Sequence, residues 1–223
     1  SKKANYRISN ARYNVTHSLF DLHYKNLNNK NAIIKNINLR LIGEHNVLNA
    51  SAAVAVCINM GIKINIIKKA LKNFSGVQRR MTKIFVKNKN EFFDDYAHHP
   101  TEISSILNGV KKVYSDRKII AVFEPHRYSR VTSLKQGFSK SFQKSDLVLI
   151  CPLYAAGEKR NKNFNIFNFA KLISKNSKTQ VALVKNQKEL SNYFKKNLVS
   201  DEIIIGMGAG SISQWMKELK FNL

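Results

Sequence analysis

The sequence predicts an α/β fold: a mostly parallel sheet with helices on both faces, preceded by the tail of a second α/β domain. Short apolar runs recur beyond residue 76, and helix-like segments separate them. The runs are continuously apolar rather than alternating, which is the pattern of strands covered on both faces. The rhythm also changes at Ser75-Gly76, where a loop signal interrupts a helical periodicity. The predicted domains are therefore 1–75 and 76–223.

In chain order, Tyr13 to Tyr24 alternates roughly, and Ala32 to Ile42 mixes Ile and Leu with polar residues; both predict short strands. Asn46 to Met60 is rich in Ala, Val and Leu and predicts a helix stopped by Gly61. Ile64 to Phe74 predicts a second helix. Beyond the boundary an apolar strand, Ile84 to Val86 then Phe92-Phe93, leads into a helix pattern over Thr101 to Val113. Further strands are predicted at Ile119 to Phe123, Leu147 to Ile150, Val181 to Val184 and Ile203 to Ile205. Helices are predicted at Leu134 to Phe142, Phe167 to Ser174, Glu189 to Leu198 and Ile212 to Leu219. The stretch up to Ser75 is too small to close a domain alone, so upstream sequence or a partner is expected to complete it.

Of the 223 residues, 43% are hydrophobic, enough for a packed core. No apolar run is long enough to span a bilayer. The net charge of +24 raises nucleic acid, an anionic membrane or phosphate-rich ligands as partners. Lysines, however, are scattered through every segment, including loop-like stretches such as Lys25 to Asn31 and Arg160 to Asn165. No basic helix carries interleaved aromatics, so neither nucleic acid nor membrane is expected as a partner. Cys57 and Cys151 lie far apart in apolar runs, which predicts reduced thiols in a cytoplasmic protein rather than a disulfide or zinc framework.

The densest titratable cluster is Asp94-Asp95-Tyr96-Ala97-His98-His99-Pro100, at a predicted strand end. Its carboxylates suit a metal-bound phosphate or the orientation of a nucleophile, and its imidazoles suit substrate binding or proton transfer. Plain helix initiation at Pro100 is the alternative. After the next strand comes Glu124-Pro125-His126-Arg127-Tyr128-Ser129-Arg130, where one helical turn would set Arg127 beside Arg130 as a clamp for carboxylate or phosphate. After the third comes Tyr154-Ala155-Ala156-Gly157-Glu158, whose small residues allow close backbone approach. These segments follow successive strands of one parallel sheet, so they are expected to converge.

Three further segments are candidates. His45, Asn46 and Asn49 lie at a predicted helix start, where amides can read a base edge or Asn46 can simply cap the helix. Arg79 and Arg80 sit at the domain junction. Gly206-Met207-Gly208-Ala209-Gly210-Ser211 has its third glycine misplaced for a dinucleotide fingerprint and predicts a tight turn. No Gly-Lys dipeptide occurs, so the chain has no Walker-type phosphate loop.

GEHNVLNASAAVAV, FSGVQRRM, DDYAHHPTEI, EPHRYSR, YAAGEK and GMGAGSI resemble, in order, motifs of the Mur ligase family. The likeness runs from about Gly43 onward. It implies that 1–75 is the C-terminal part of a central ATP-binding domain and 76–223 a C-terminal Rossmann-like ligase domain. The cofactors it implies are ATP and Mg2+, with the phosphate loop and metal ligands outside this chain. The partners it implies are UDP-N-acetylmuramate, L-alanine, ATP and the upstream domains. ATP would phosphorylate the lactyl carboxylate, and the alanine amine would displace phosphate to form an amide. By resemblance, His45, Asn46 and Asn49 are adenine-side contacts and Arg80 a nucleotide contact from the hinge. Tyr96, His98, His126, Arg127 and Arg130 form the alanine pocket. A tripeptide-recycling ligase of the same family is the alternative, and is expected to lack the run His126 to Arg130. A non-catalytic module holding a nucleotide or amino acid is the other.

Overall fold

The computed structural model describes residues 4–26 and 30–223. Residues 27–29 of the loop-like stretch Lys25 to Asn31 thus lie outside the described residues. The chain divides into two compact units. One comprises the residues up to Gly76 with Lys112–Ser115, and the other Val77–Lys111 with Asp116–Leu223.

The first unit is a three-stranded antiparallel sheet, β1 (Arg7–Tyr13), β2 (Ser18–Lys25) and β3 (Asn31–Leu39), in that order, followed by α1 (Glu44–Asn59) and α2 (Ile64–Asn73). Phe20, Leu22, Ile37 and Leu39 pack against Val47, Val54 and Ile67. The expected strand from Tyr13 to Tyr24 is two elements: Asn14 N–H donates to His17 C=O (2.9 Å), turning the chain between β1 and β2. The edge strand β1 has no fully buried residue, so its apolar alternation is too weak to read.

The second unit is a six-stranded sheet with the order β4-β5-β9-β6-β7-β8. Its strands are β4 (Thr82–Lys87), β5 (Asn90–Asp95), β6 (Ile119–Phe123), β7 (Leu147–Ile150), β8 (Gln180–Leu183) and β9 (Ile203–Met207). The helices are α3 (Pro100–Val113), α4 (Tyr128–Ser133), α5 (Lys135–Lys140), α6 (Ile166–Ser177), α7 (Gln187–Asn197) and α8 (Ile212–Asn222). Every pairing is parallel except β4 with β5. All residues of β6, β7 and β9 are buried, as strands in the middle of a doubly covered sheet require.

Two expectations are corrected. Ile84 to Val86 and Phe92-Phe93 belong to separate strands, joined by a two-residue turn at Asn88 and Lys89, both with positive φ (51° and 63°). The motif-bearing strands β5, β6 and β7 are also not neighbours in a row, because β9 lies between β5 and β6. Ile204 pairs with Phe92 on one side and Ile120 on the other. Among the described residues, no helix is long and apolar enough to cross a membrane.

Candidate functional site

The parallel strands end along one edge, where ligands of open α/β sheets bind. Asp94 and Asp95 close β5, and both are buried (2% and 1% exposed). Asp95 accepts hydrogen bonds from Ala97 N–H (2.7 Å) and Met81 N–H (2.8 Å). Burial pushes its pKa up to about 6, against the lowering effect of those two bonds. Asp94 accepts from the Ser213 hydroxyl (2.5 Å) and lies 3.9 Å from Arg79 Nε. Asp95 thus fixes the turn that follows β5, and Asp94 ties the end of β5 to the start of α8.

The next residues carry the open chemistry. Tyr96 is 36% exposed. The Arg79 guanidinium lies 4.7 Å from its ring centre and that of Arg80 6.0 Å. His98 meets Tyr96 edge-on at 5.0 Å and lies 5.8 Å from His126, which stacks on Tyr154 at 5.5 Å and 11°. Four rings from the ends of β5, β6 and β7 thus form one row. The predicted convergence occurs, although β9 intervenes in the sheet.

Arg130, in the first turn of α4, donates to His126 Nδ1 (3.0 Å). A guanidinium has no acceptor, so His126 presents a lone pair at Nδ1 and, when neutral, carries its proton on Nε2. Burial and then the Arg130 charge hold the His126 pKa below the ordinary histidine value. Arg127 is exposed and precedes α4 with φ 67° and ψ 128°, a conformation rare for a side chain of this size. Its N–H donates to Tyr154 C=O (2.9 Å), tying the β6 loop to the β7 loop. Arg127 is therefore the residue before the helix, not a member of its first turn with Arg130. The loop Tyr154–Glu158 secures the start of α4, because Glu158 accepts from both Ser129 N–H (3.0 Å) and the Ser129 hydroxyl (2.5 Å).

Behind the row lies the glycine turn after β9. Glu124, 2% exposed, accepts from Gly210 N–H (2.9 Å), Ser211 N–H (3.0 Å) and the Ser211 hydroxyl (2.5 Å). Arg79 donates to Gly208 C=O (2.5 Å). A Cβ at Gly210 would stand 2.5 Å from both Tyr154 Cγ and Glu124 Oε1, so close packing explains this glycine. Arg79, Glu124 and Tyr154 fall within the candidate segments, but the sequence assigned none of them a role of its own. The signals were present, as an arginine beside Arg80 and a carboxylate immediately after a fully apolar strand.

His45, Asn46 and Asn49 lie in the first unit, at the start of α1. The residue before that helix is Gly43, so Asn46 is not its cap. Asn46 is buried, with its amide nitrogen donating to Ile42 C=O (2.8 Å), whereas Asn49 is exposed. Among the described residues, no group of three or more His, Cys, Asp or Glu could hold a metal ion.

A model of the Mur ligase glutamate ligase domain matches residues 79–210. The chain is similar to UDP-N-acetylmuramate–L-alanine ligase of Pelagibacter ubique, 48% identical over 97% of this chain and 47% of that protein. It is also similar to the enzyme so named from Vesicomyosocius okutanii, 38% identical over 83% of this chain and 40% of that protein. The fold matches the crystal structure of UDP-N-acetylmuramate-alanine ligase MurC from Thermotoga maritima, with a TM-score of 0.77 and 27% identity over 99% of this chain and 46% of that one. The chain spans about half the length of the curated relatives it matches.

Proposed function

The chain belongs to the Mur ligase family, and on that premise we propose that it is part of an ATP-dependent, ADP-forming ligase that joins L-alanine to UDP-N-acetylmuramate in peptidoglycan synthesis. The row Tyr96–His98–His126–Tyr154, flanked by Arg127 and Arg130, carries this reading. It sets four rings in a line at the sheet edge, with Arg130 on His126 and the guanidinium groups of Arg79 and Arg80 over Tyr96, a combination of apolar faces and positive charge that suits a free amino acid. Arg127 and Arg130 neutralise the alanine carboxylate. Tyr96 and His98 orient the amine.

In the reaction, ATP transfers its terminal phosphoryl group to the lactyl carboxylate, releasing ADP. The neutral alanine amine attacks the carbonyl carbon of the acyl phosphate. The C–O bond to phosphate breaks, the C–N bond forms, and the amine loses a proton. The residues of this chain hold and aim the nucleophile, so their contribution is positional. We assign His45, Asn46 and Asn49 to the adenine side of the nucleotide, and Arg80 as a further contact to the nucleotide.

Titration of the isotope-labelled chain with L-alanine tests the assignment. Amide signals of residues 96–98 and 126–130 should move together and saturate, with D-alanine much weaker. An absence of movement there at saturating alanine overturns it.

A further inference from the structure

A cavity lies at the same sheet edge, beyond the ends of β7 and β8, and no residue of the alanine row lines it. Its volume is about 650 Å³, within the range of small-molecule sites. Leu153, Phe164, Phe167 and Val184 supply apolar walls, while Arg160 and Lys185 supply charge. No carboxylate lines it. Neither basic side chain has a hydrogen-bond or ion-pair partner among the described residues. Phe167 leaves 65% of its surface open, although it stands in the first turn of α6 near buried Phe169. A concave apolar wall with two uncompensated cations, at the carboxyl edge of a parallel sheet, is complementary to one class of ligand.

We propose that this cavity binds a small amphipathic anion: an aromatic or branched apolar body carrying one carboxylate, sulfonate or phosphate. The body lies against Leu153, Phe164 and Phe167, and the anion meets Arg160 and Lys185. The cavity borders the alanine row through Tyr128 and through Leu153, the residue before Tyr154. Tyr128, between Arg127 and Ser129, forms part of its wall and meets Phe164 edge-on at 5.7 Å. The assignment does not depend on which reaction the alanine row serves.

Anilinonaphthalene sulfonate and its uncharged counterpart phenylnaphthylamine test the proposal. The sulfonate should bind saturably, with fluorescence gain and amide shifts centred on Leu153, Arg160 and Phe167. Arg160→Gln with Lys185→Gln should weaken the sulfonate about tenfold while leaving the amine unchanged, which also shows that the fold is intact. Phe167→Ser should weaken both probes. Equal binding of the two probes to the unaltered chain, shifts centred elsewhere, or no saturable binding would each overturn the proposal.

Discussion

Ser211 is bonded to Glu124 twice: its backbone N–H (3.0 Å) and its hydroxyl (2.5 Å) both donate to Oε2. One buried carboxylate thereby anchors the turn after β9 to the end of β6, two residues before His126. Glu124→Ala would leave those donors and Gly210 N–H without an acceptor. The expected loss is on the order of 3 kcal/mol in urea unfolding. Glu124→Gln keeps one carbonyl acceptor and should lose less. Equal midpoints for the two variants would contradict the anchor.

Gly210 is predicted to tolerate no side chain. Its added Cβ would press on Tyr154, the ring that stacks on His126. Gly210→Ala should cost roughly 1–3 kcal/mol of stability and disturb the Tyr154 and His126 ring signals. Unchanged ring signals would show that the neighbours yield freely.

His126 should titrate higher once Arg130 is removed. The Arg130 charge is the second cause of its lowered pKa, after burial. In Arg130→Ala the imidazole midpoint, followed by NMR, should rise toward the ordinary value while staying below it. A midpoint that falls or stays put counts against the Arg130–His126 contact.

Asp95 should make the fold less stable as pH rises. Its folded pKa, about 6, exceeds the ordinary 3.8, so the folded state binds the proton more tightly. That stabilisation is fully present below pH 3.8 and is lost as pH passes through about 6, by up to about 3 kcal/mol. The check is the difference between the chain and Asp95→Asn in unfolding free energy across this window. A constant difference would remove Asp95 as the cause.

The chain alone should not turn over. With ATP, Mg2+, UDP-N-acetylmuramate and alanine it should release no phosphate above background, because it carries no Gly-Lys phosphate loop. Sustained phosphate release would refute this.

The strands of the second unit were legible because burial on both faces leaves little sequence freedom. Ile119–Phe123 and Leu147–Ile150 occupy the predicted residues. Strand order was not legible, since nothing local in Ile203–Met207 says that it pairs between β5 and β6. The β4–β5 hairpin was missed because Asn88-Lys89 lacks the glycine that usually marks such a turn. Within the candidate site, residue types showed where side chains gather but not which way they face. Asp94 and Asp95 drew attention as open acids and are buried anchors. Glu124 stood in a candidate segment without a role of its own, although it holds three donors, because its partners lie far along the chain.

The position of β9 also constrains how this unit is made. It is the last strand of the sheet to leave the ribosome, yet both its neighbours, β5 and β6, are synthesised well before it. Until it arrives, β5 and β6 each present an unpaired apolar edge to the cell, the kind of surface that invites wrong partners. Closure of the sheet waits for translation to pass Met207, and the high sequence separation of these contacts slows it further.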